Sequence, residues 1–549
     1  MTHVITGGCC NDAACVSACP VNCIHPTPDE PDFATAEMLY IDPQTCIDCG
    51  ACVDVCPVAA VSSDFDLAPE DAPFLDLNAA WFTVPGRATY PAAPFRLEPL
   101  STARPGPLRV ALVGTGPTGG YVGEMLLALR GTEVQLTVID KLLTPGGLVR
   151  FGVAPDHQDT KAAGDGITKI MRRRGVTTRL GVEVGKDVTA AQLLASHHAV
   201  VVATGASEGR RLGVPGEDLP GSLSAADLVG WYNAHPDQQD LAVGLLGERA
   251  VVIGNGNVAL DVARVLAADR TVLERTDIAD HALRALSSSS IREITVVARR
   301  GAKPAAFTAG ELLRLLQVPG VIITTRSEEL PTELTGDPVI DHKITVLRSI
   351  ADRPSEDGKR RIELRFGLVP HAIVGDEAVR AVRFVSGEEL PADLVVTAVG
   401  YRSSPVGGLP FDEDRAVVPN EGGRVSDVPG CYVAGWIKRG PSGGIGANRW
   451  CARETVAALL ADYDAGLLAE PTDQSDLPGV DSAAWTTIDQ HERSAGRAAK
   501  RPRVKLASRA EQLDVIAPTT EHHSAQRSAG TDPPDLAPPM SHHVGKAKP

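Results

Sequence analysis

The 549-residue chain lacks any apolar run near the roughly 18 residues that a membrane-spanning helix needs. Its start, Met1-Thr2-His3-Val4-Ile5-Thr6, shows neither the basic nor the apolar stretch of a secretory signal, so a cytoplasmic protein with no membrane partner is expected. Basic residues are outnumbered, 53 Lys+Arg against 69 Asp+Glu. The net charge of −16 argues against nucleic acid as the main partner. The first 66 residues hold no Lys or Arg at all but ten acids, which supplies −10 of that charge. Cysteine is scarce outside the same stretch: nine of eleven lie between Cys9 and Cys56, leaving Cys431 and Cys451 apart. A 43% apolar share is enough for packed cores, and at about 150 residues per domain the length suggests three or four domains. A small, acidic, cysteine-dense module is joined to a large ordinary one.

The module's second half reads Cys46-Ile47-Asp48-Cys49-Gly50-Ala51-Cys52-Val53-Asp54-Val55-Cys56-Pro57. Three thiolates at that spacing curl around one iron–sulfur cube, and the fourth, before proline, serves a second cluster. The first half repeats the spacing as Cys9, Asp12, Cys15, Cys19 and Pro20, with aspartate in place of one cysteine. The duplication predicts crosswise sharing. Cys46, Cys49, Cys52 and Cys19 hold one [4Fe–4S] cluster, and Cys9, Cys15 and Cys56 hold the other. A carboxylate is a harder and weaker iron ligand than a thiolate. The Asp12 corner is therefore labile, and the second cluster is either [3Fe–4S] or a [4Fe–4S] with Asp12 or water on one iron. Cys10 and Cys23 fall outside the pattern and read as buried or spare thiols. Disulfides would need an oxidising compartment, and zinc sites rarely show two four-ligand runs each ending in Cys-Pro. The repeats, with Cys19-Pro20-Val21-Asn22-Cys23-Ile24 and Met38-Leu39-Tyr40-Ile41-Asp42-Pro43 as connecting segments, resemble the bacterial dicluster ferredoxins, especially the seven-iron type.

The rest of the chain carries two dinucleotide signatures. The strand Arg109-Val110-Ala111-Leu112-Val113 runs into Gly114-Thr115-Gly116-Pro117-Thr118-Gly119 and then a helical stretch, 121–129. Such a turn lets a pyrophosphate approach backbone N–H groups at a helix N-terminus. The second strand ends at Asp140, whose carboxylate accepts from an adenosine ribose and repels a 2′-phosphate, so this site takes FAD or NAD. A second copy, Gly254-Asn255-Gly256-Asn257-Val258-Ala259, is followed by the strand 293–298, which ends in Arg299-Arg300. Two guanidiniums there clamp a 2′-phosphate and specify NADP(H). Further strands end in glycine turns at Gly205 and Gly400, on either side of the second motif. One domain is thus inserted in another, placing a flavin against a nicotinamide.

The expected architecture is an α+β ferredoxin module at 1–66, followed by α/β: two Rossmann-like domains, with the NADP domain inserted in the FAD domain. A Pro-rich connector at 67–106 reads as extended and partly packed. The FAD domain takes 107–215 and 395–465, the NADP domain 216–394, a C-terminal extension 466–516, and a disordered tail with two His-His pairs 517–549. The basic run in 491–505 reads as a solvated helix face, with a dock for the acidic module as the rival.

Three segments carry a closer resemblance: 147–157 (Gly-Leu-Val-Arg-Phe-Gly-Val-Ala-Pro-Asp-His), 254–264, and 435–443 (Gly-Trp-Ile-Lys-Arg-Gly-Pro-Ser-Gly). Over 107–465 the chain is similar to the adrenodoxin-reductase-type NADPH–ferredoxin reductases. Fused to a ferredoxin, it resembles a bacterial subgroup of them. The resemblance implies FAD contacts at Gly119, Asp140, Leu148, Val182, Trp436 and Gly443-Gly444-Ile445, beside Gly114 and Gly116 of the turn. It implies NADP contacts at Asn255, Gly256, Asn257, Val258, Arg299, Arg300, Glu311 and Gly443. His157 falls in a family-typical loop, as a structural or proton-handling residue. Asp140 stands where the family more often has Glu, Gly146 replaces an aromatic, and Gly444 replaces a larger apolar residue.

The implied activity is that of a ferredoxin–NADP+ reductase. Electrons pass from NADPH through FAD to fused or external ferredoxin clusters, and on to one-electron acceptors such as a cytochrome P450. An electron-input subunit resembling the small subunit of glutamate synthase, or an iron–sulfur redox sensor, are the competing readings.

Overall fold

The computed structural model describes residues 2–354, 356, 358–472 and 476–517; nearly all of the tail, with both His-His pairs, lies outside them. In the N-terminal module, His3–Ile5 pairs antiparallel with Val61–Ser63, and Ile24–His25 with Tyr40–Ile41. The duplication is visible in the backbone. Helices Ala14–Ala18 and Ala51–Val55 each start after a left-handed residue, Ala13 (φ 57°) and Gly50 (φ 75°). Each ends at the cysteine before proline, Cys19 (ψ 120°) and Cys56 (ψ 115°). The proline ring keeps the preceding residue extended, which stops both helices at the crosswise thiols.

The connector is not extended throughout. Helix Pro73–Trp81 starts at a proline, where a missing N–H costs nothing, and buries Phe74, Leu77, Asn78 and Trp81 in the module's core. Surrounding prolines masked this nine-residue helix in the sequence. The Asn78 side chain joins the two ladders: Oδ1 accepts from Ile5 N (3.2 Å) and Ile41 N (2.8 Å), and Nδ2 donates to Ile5 O (2.9 Å). Asn78→Leu strands those buried N–H groups and is expected to cost the module about 2–5 kcal/mol. A urea titration that reads loss of the module separately from unfolding of the larger part measures it.

The larger part contains two large sheets and two small antiparallel ones, a three-stranded sheet over 370–391 and a two-stranded one at the domain crossing. A seven-stranded sheet places Cys431–Val433, Ala199–Val202, Pro107–Val113, Glu133–Asp140 and Val176–Leu180 side by side in parallel, with a short antiparallel edge at 420–425. A six-stranded parallel sheet runs Ser222–Ser224, Leu394–Thr397, Arg249–Ile253, Glu293–Ala298, Arg360–Phe366, Val321–Thr325. The expected return to the first domain at 395 is therefore too early. Leu394–Thr397 is buried on both faces between two strands of the inserted sheet, and nothing local in a run of Val and Thr tells which sheet claims it. The chain crosses between domains at Glu208–Gly209 and Tyr401–Arg402, which pair antiparallel with each other.

The C-terminal extension forms helices Ser482–Ala498 and Arg509–Ile516. Its basic run is only in part a solvated face, and among the described residues it forms no hydrogen bond or ion pair with the acidic module. Arg493, Arg497 and Lys500 are exposed. Arg501 pairs with Asp280, Arg503 with Glu492 (2.8 Å), and buried Lys505 with Asp277 (2.8 Å). Asp277 also takes Lys161 (2.9 Å), and Glu492 takes Arg150 (2.6 Å). The extension thus straps the two nucleotide domains together.

Candidate functional site

The first glycine turn is built for close backbone approach. A Cβ on Gly114 (φ 108°) would lie 2.5 Å from Ala203 O, and one on Gly119 2.1 Å from Gly114 O. Gly116 caps helix Pro117–Leu127, whose first N–H groups remain free for a phosphate. At the end of the second strand Asp140 turns back on the loop. Its Oδ2 accepts from Thr115 N (2.8 Å) and Thr115 Oγ1 (2.5 Å), and its Oδ1 from Leu142 N (2.9 Å). A carboxylate offers about four acceptor positions, so one remains for a ribose hydroxyl. Val182 N donates to Asp140 O (2.9 Å), which sets Val182 beside it in a cavity of about 520 Å³ that Lys141, Lys186 and Arg509 also line.

Leu148 opens a short helix after Gly147. Gly146 (φ 115°) occupies backbone space that an aromatic residue does not readily adopt, and a Cβ there would meet Arg150 Cβ at 3.1 Å. Gly435 presses on the helix of the first turn, since its Cβ would lie 2.3 Å from Thr118 Oγ1. This brings Trp436 to the same cradle, where its indole donates to Ser442 O (3.2 Å). Gly443 (φ 73°), Gly444 and Ile445 follow directly.

The second turn repeats the design. A Cβ on Gly254 (φ 130°) would strike Ala398 O at 2.2 Å, Asn255 lies between the turn glycines, and Gly256 caps helix Asn257–Ala267, with Val258 in its first turn. Asn257 Oδ1 accepts from Thr308 N (2.9 Å), tying this helix to helix Ala309–Leu316. Arg299 and Arg300 stand exposed at the end of strand Glu293–Ala298, without an ion-pair partner among the described residues. Glu311 Oε2 is buried with no hydrogen-bond partner and lies 3.9 Å from His157 Nε2.

His157 is held as a neutral imidazole. Burial, helped by Arg314 and Lys161, pushes its pKa down to about 3, and Nε2 lies 2.8 Å from Arg264 Nη2, which donates to it. Arg264 also pairs with Asp156 and Asp261. No His157-linked inflection is therefore expected in kcat/KM for NADPH between about pH 5 and 8. A pH–rate profile checks this. Asp261 and Arg264 had no assigned role in the sequence. The available signal was their i,i+3 spacing on the helix leaving the second turn.

The cysteines gather in two groups. Cys19, Cys46, Cys49 and Cys52 line one small cavity. Cys23 lies there too, with Sγ 3.4 Å from Cys19 Sγ. Hydrogen bonding to Cys19 and Cys46 keeps the Cys23 thiol protonated, and lowers those two to about 6 and about 4. Cys23 is thus buried as expected, but it is in contact with two of the expected ligands. In the second group burial raises the Cys15 thiol, and the nearby charges of Cys9, Asp12 and Cys56 raise it further. Four thiols converging between apolar walls, and three beside a carboxylate, fit iron–sulfur clusters.

The module's second group faces the nucleotide domains. Gly446 N donates to Cys10 O (2.8 Å), and a Cβ on Gly446 would lie 2.1 Å from Asn11 C. Asp12 pairs with Arg449 (3.1 Å). Glu37 pairs with buried Lys343 and accepts from Ala309 N (2.8 Å). Arg87 bridges Asp32 (2.9 Å) and Asp337 (3.1 Å). A Cβ on Gly7 would lie 2.6 Å from Gly310 Cα.

A pair of glycine-turn cradles in nested domains, with thiol pockets docked against both domains, defines a flavin- and nicotinamide-dependent electron-transfer protein. A family model described as pyridine nucleotide-disulphide oxidoreductase matches residues 103–318 and 347–445, and one described as a 4Fe-4S dicluster domain matches 8–60. The probable ferredoxin/ferredoxin–NADP reductase of Mycobacterium tuberculosis is 47% identical over 545 residues, covering 93% of this chain and 94% of that protein. Mouse mitochondrial NADPH:adrenodoxin oxidoreductase is 36% identical over 459 residues, covering 74% of this chain and 91% of its own. The solved structure of Mycobacterium tuberculosis FprA in complex with NADPH is similar at a TM-score of 0.71 and 41% identity, over 75% of this chain and 99% of that one. The chain belongs to the ferredoxin–NADP reductases of the adrenodoxin-reductase type, with a dicluster ferredoxin domain at its N-terminal end. Among the described residues no helix is long and apolar enough to cross a membrane.

Proposed function

We propose that this reductase is a relay within one polypeptide, running from NADPH to the fused clusters and out to a separate one-electron acceptor. Arg299 and Arg300 select the 2′-phosphate. Gly256, Asn255, Asn257 and Val258 bring the helix N-terminus to the NADP pyrophosphate, and Gly114, Gly116 and Gly119 do the same for FAD. Asp140 and Val182 hold the adenosine end of the flavin nucleotide, and Leu148, Trp436, Gly443, Gly444 and Ile445 hold the flavin end. Glu311 Oε2, buried and unpaired, is the acceptor for the nicotinamide carboxamide. FAD held there would supply the conversion of a hydride into single electrons, so the protein itself would need no nucleophile or general base.

Cys9, Cys15 and Cys56 hold a [3Fe–4S] or [4Fe–4S] cluster next to the flavin, and Cys19, Cys46, Cys49 and Cys52 hold a [4Fe–4S] cluster farther out. The observation that carries this order is the Gly446–Cys10 hydrogen bond, which sets the first cysteine loop against the segment holding Gly443–Ile445. Cys49 is exposed, and Ile47, Val53 and Val55 around it are 58%, 40% and 41% exposed. That face, with exposed Asp54, suits an acceptor with a basic docking surface, such as a cytochrome P450. Cysteines kept as thiols for iron–sulfur clusters favour a reducing compartment, and the cytoplasm is the location this reading expects.

Arg87→Glu tests the route, because it sets a carboxylate against Asp337 at the docking face, and Arg87 bonds to no residue of either nucleotide cradle. After rapid mixing with NADPH the flavin is expected to bleach at the wild-type rate, while cluster reduction slows at least tenfold. Unchanged cluster reduction would mean that this docked geometry is not the path.

A further inference from the structure

Asp12 is the one position where the cysteine pattern is broken, and both oxygens of its carboxylate are already engaged. Oδ1 accepts from Ala14 N (3.2 Å), and Oδ2 accepts from Arg449 Nη1 (3.1 Å). Asp12 is buried, and the partners come from opposite ends of the chain. Arg449 lies on helix Ala447–Asp464 of the reductase, directly after the Gly446 that bonds Cys10. Its guanidinium also sits 5.9 Å from the centre of the Tyr121 ring, on the helix of the first glycine turn. The reductase thus contributes a second contact to the guanidinium that meets Asp12.

We infer that Arg449 is a positioning residue for the inner cluster. By neutralising and orienting Asp12, it keeps the carboxylate from the fourth corner and holds the cluster in its three-iron form while the module is docked. This rests on the relay reading, in which Cys9, Cys15 and Cys56 ligate a cluster. For iron to take the corner, Asp12 would have to leave a buried charge-assisted hydrogen bond and strand a guanidinium behind it. The conversion itself balances simply: one electron from dithionite reduces the oxidised three-iron cluster, and one ferrous ion then completes the cube.

The test uses the full chain, reduced anaerobically with dithionite, given ferrous ion, desalted and reoxidised without air. Iron per chain and the EPR signal of the oxidised three-iron cluster are read. Wild type and Arg449→Lys, which keeps a cation opposite Asp12, are expected to retain the signal and gain no iron. Arg449→Gln is expected to gain one iron per chain and lose the signal. Bound-flavin absorbance shows that this variant is folded. Retention of the signal in Arg449→Gln, or its loss in wild type, would overturn the inference. Asp12→Cys separates the two levels. It completes the cysteine pattern and gains the fourth iron if the corner belongs to a cluster; if it gains none, the ligand assignment falls and the role of Arg449 with it.

Discussion

With Arg299 and Arg300 as the proposed clamp on the 2′-phosphate, replacing both by alanine is expected to raise KM for NADPH about a hundredfold and to leave KM for NADH nearly unchanged. In the proposed clamp each guanidinium would supply a charge-assisted hydrogen bond to phosphate, worth about 1.5–3 kcal/mol. Both side chains are exposed, so the lower end applies. Together they contribute about 3 kcal/mol, and each 1.4 kcal/mol is a factor of ten. The effect falls on the 2′-phosphate alone, because the backbone cradle at Gly254 and Gly256 serves both nucleotides. Steady-state kinetics with the two nucleotides and a dye acceptor measures the split. An equal loss for NADPH and NADH would move the 2′-phosphate site elsewhere.

Glu492→Ala has the largest expected effect on stability. Glu492 is fully buried between Arg150 and Arg503, so its removal leaves two guanidiniums without their common carboxylate. Breaking a buried ion pair in this way costs about 3–5 kcal/mol. Burial alone would raise the Glu492 carboxyl, but Arg150 and Arg503 outweigh it and hold the pKa below the usual carboxylate range. A depressed folded-state pKa means that the stabilisation is complete above the unfolded value, about 4.3, and is lost as pH falls below it. Wild type should therefore lose resistance to urea below about pH 4 more steeply than the alanine variant. Urea midpoints from tryptophan fluorescence across that range show whether the difference converges.

Much of this was legible because it is local. Cys-Pro at the end of each cysteine run fixes where two helices stop, and a glycine turn between a strand and a helix needs only about ten residues to declare itself. The residues that join the parts were not legible. Asp12 stood out as a lone carboxylate in a cysteine repeat, but its partner Arg449 is 437 positions away and has no motif around it. Glu37 and Lys343, or Glu492 and Arg150, are ordinary charged residues until the fold brings them together. The strand Leu394–Thr397 failed for the same reason, since its hydrophobic run fits either sheet. Helix Pro73–Trp81 was hidden by composition: prolines on either side outweighed the burial pattern of Phe74, Leu77 and Trp81.

The relay is tested most directly by mixing the intact protein anaerobically with NADPH and following flavin absorbance and cluster EPR in time, at several protein concentrations. The docked geometry predicts that flavin and clusters are both reduced, with a cluster rate independent of protein concentration. Oxidised clusters beside a fully reduced flavin, or a cluster rate that rises with protein concentration, would contradict it.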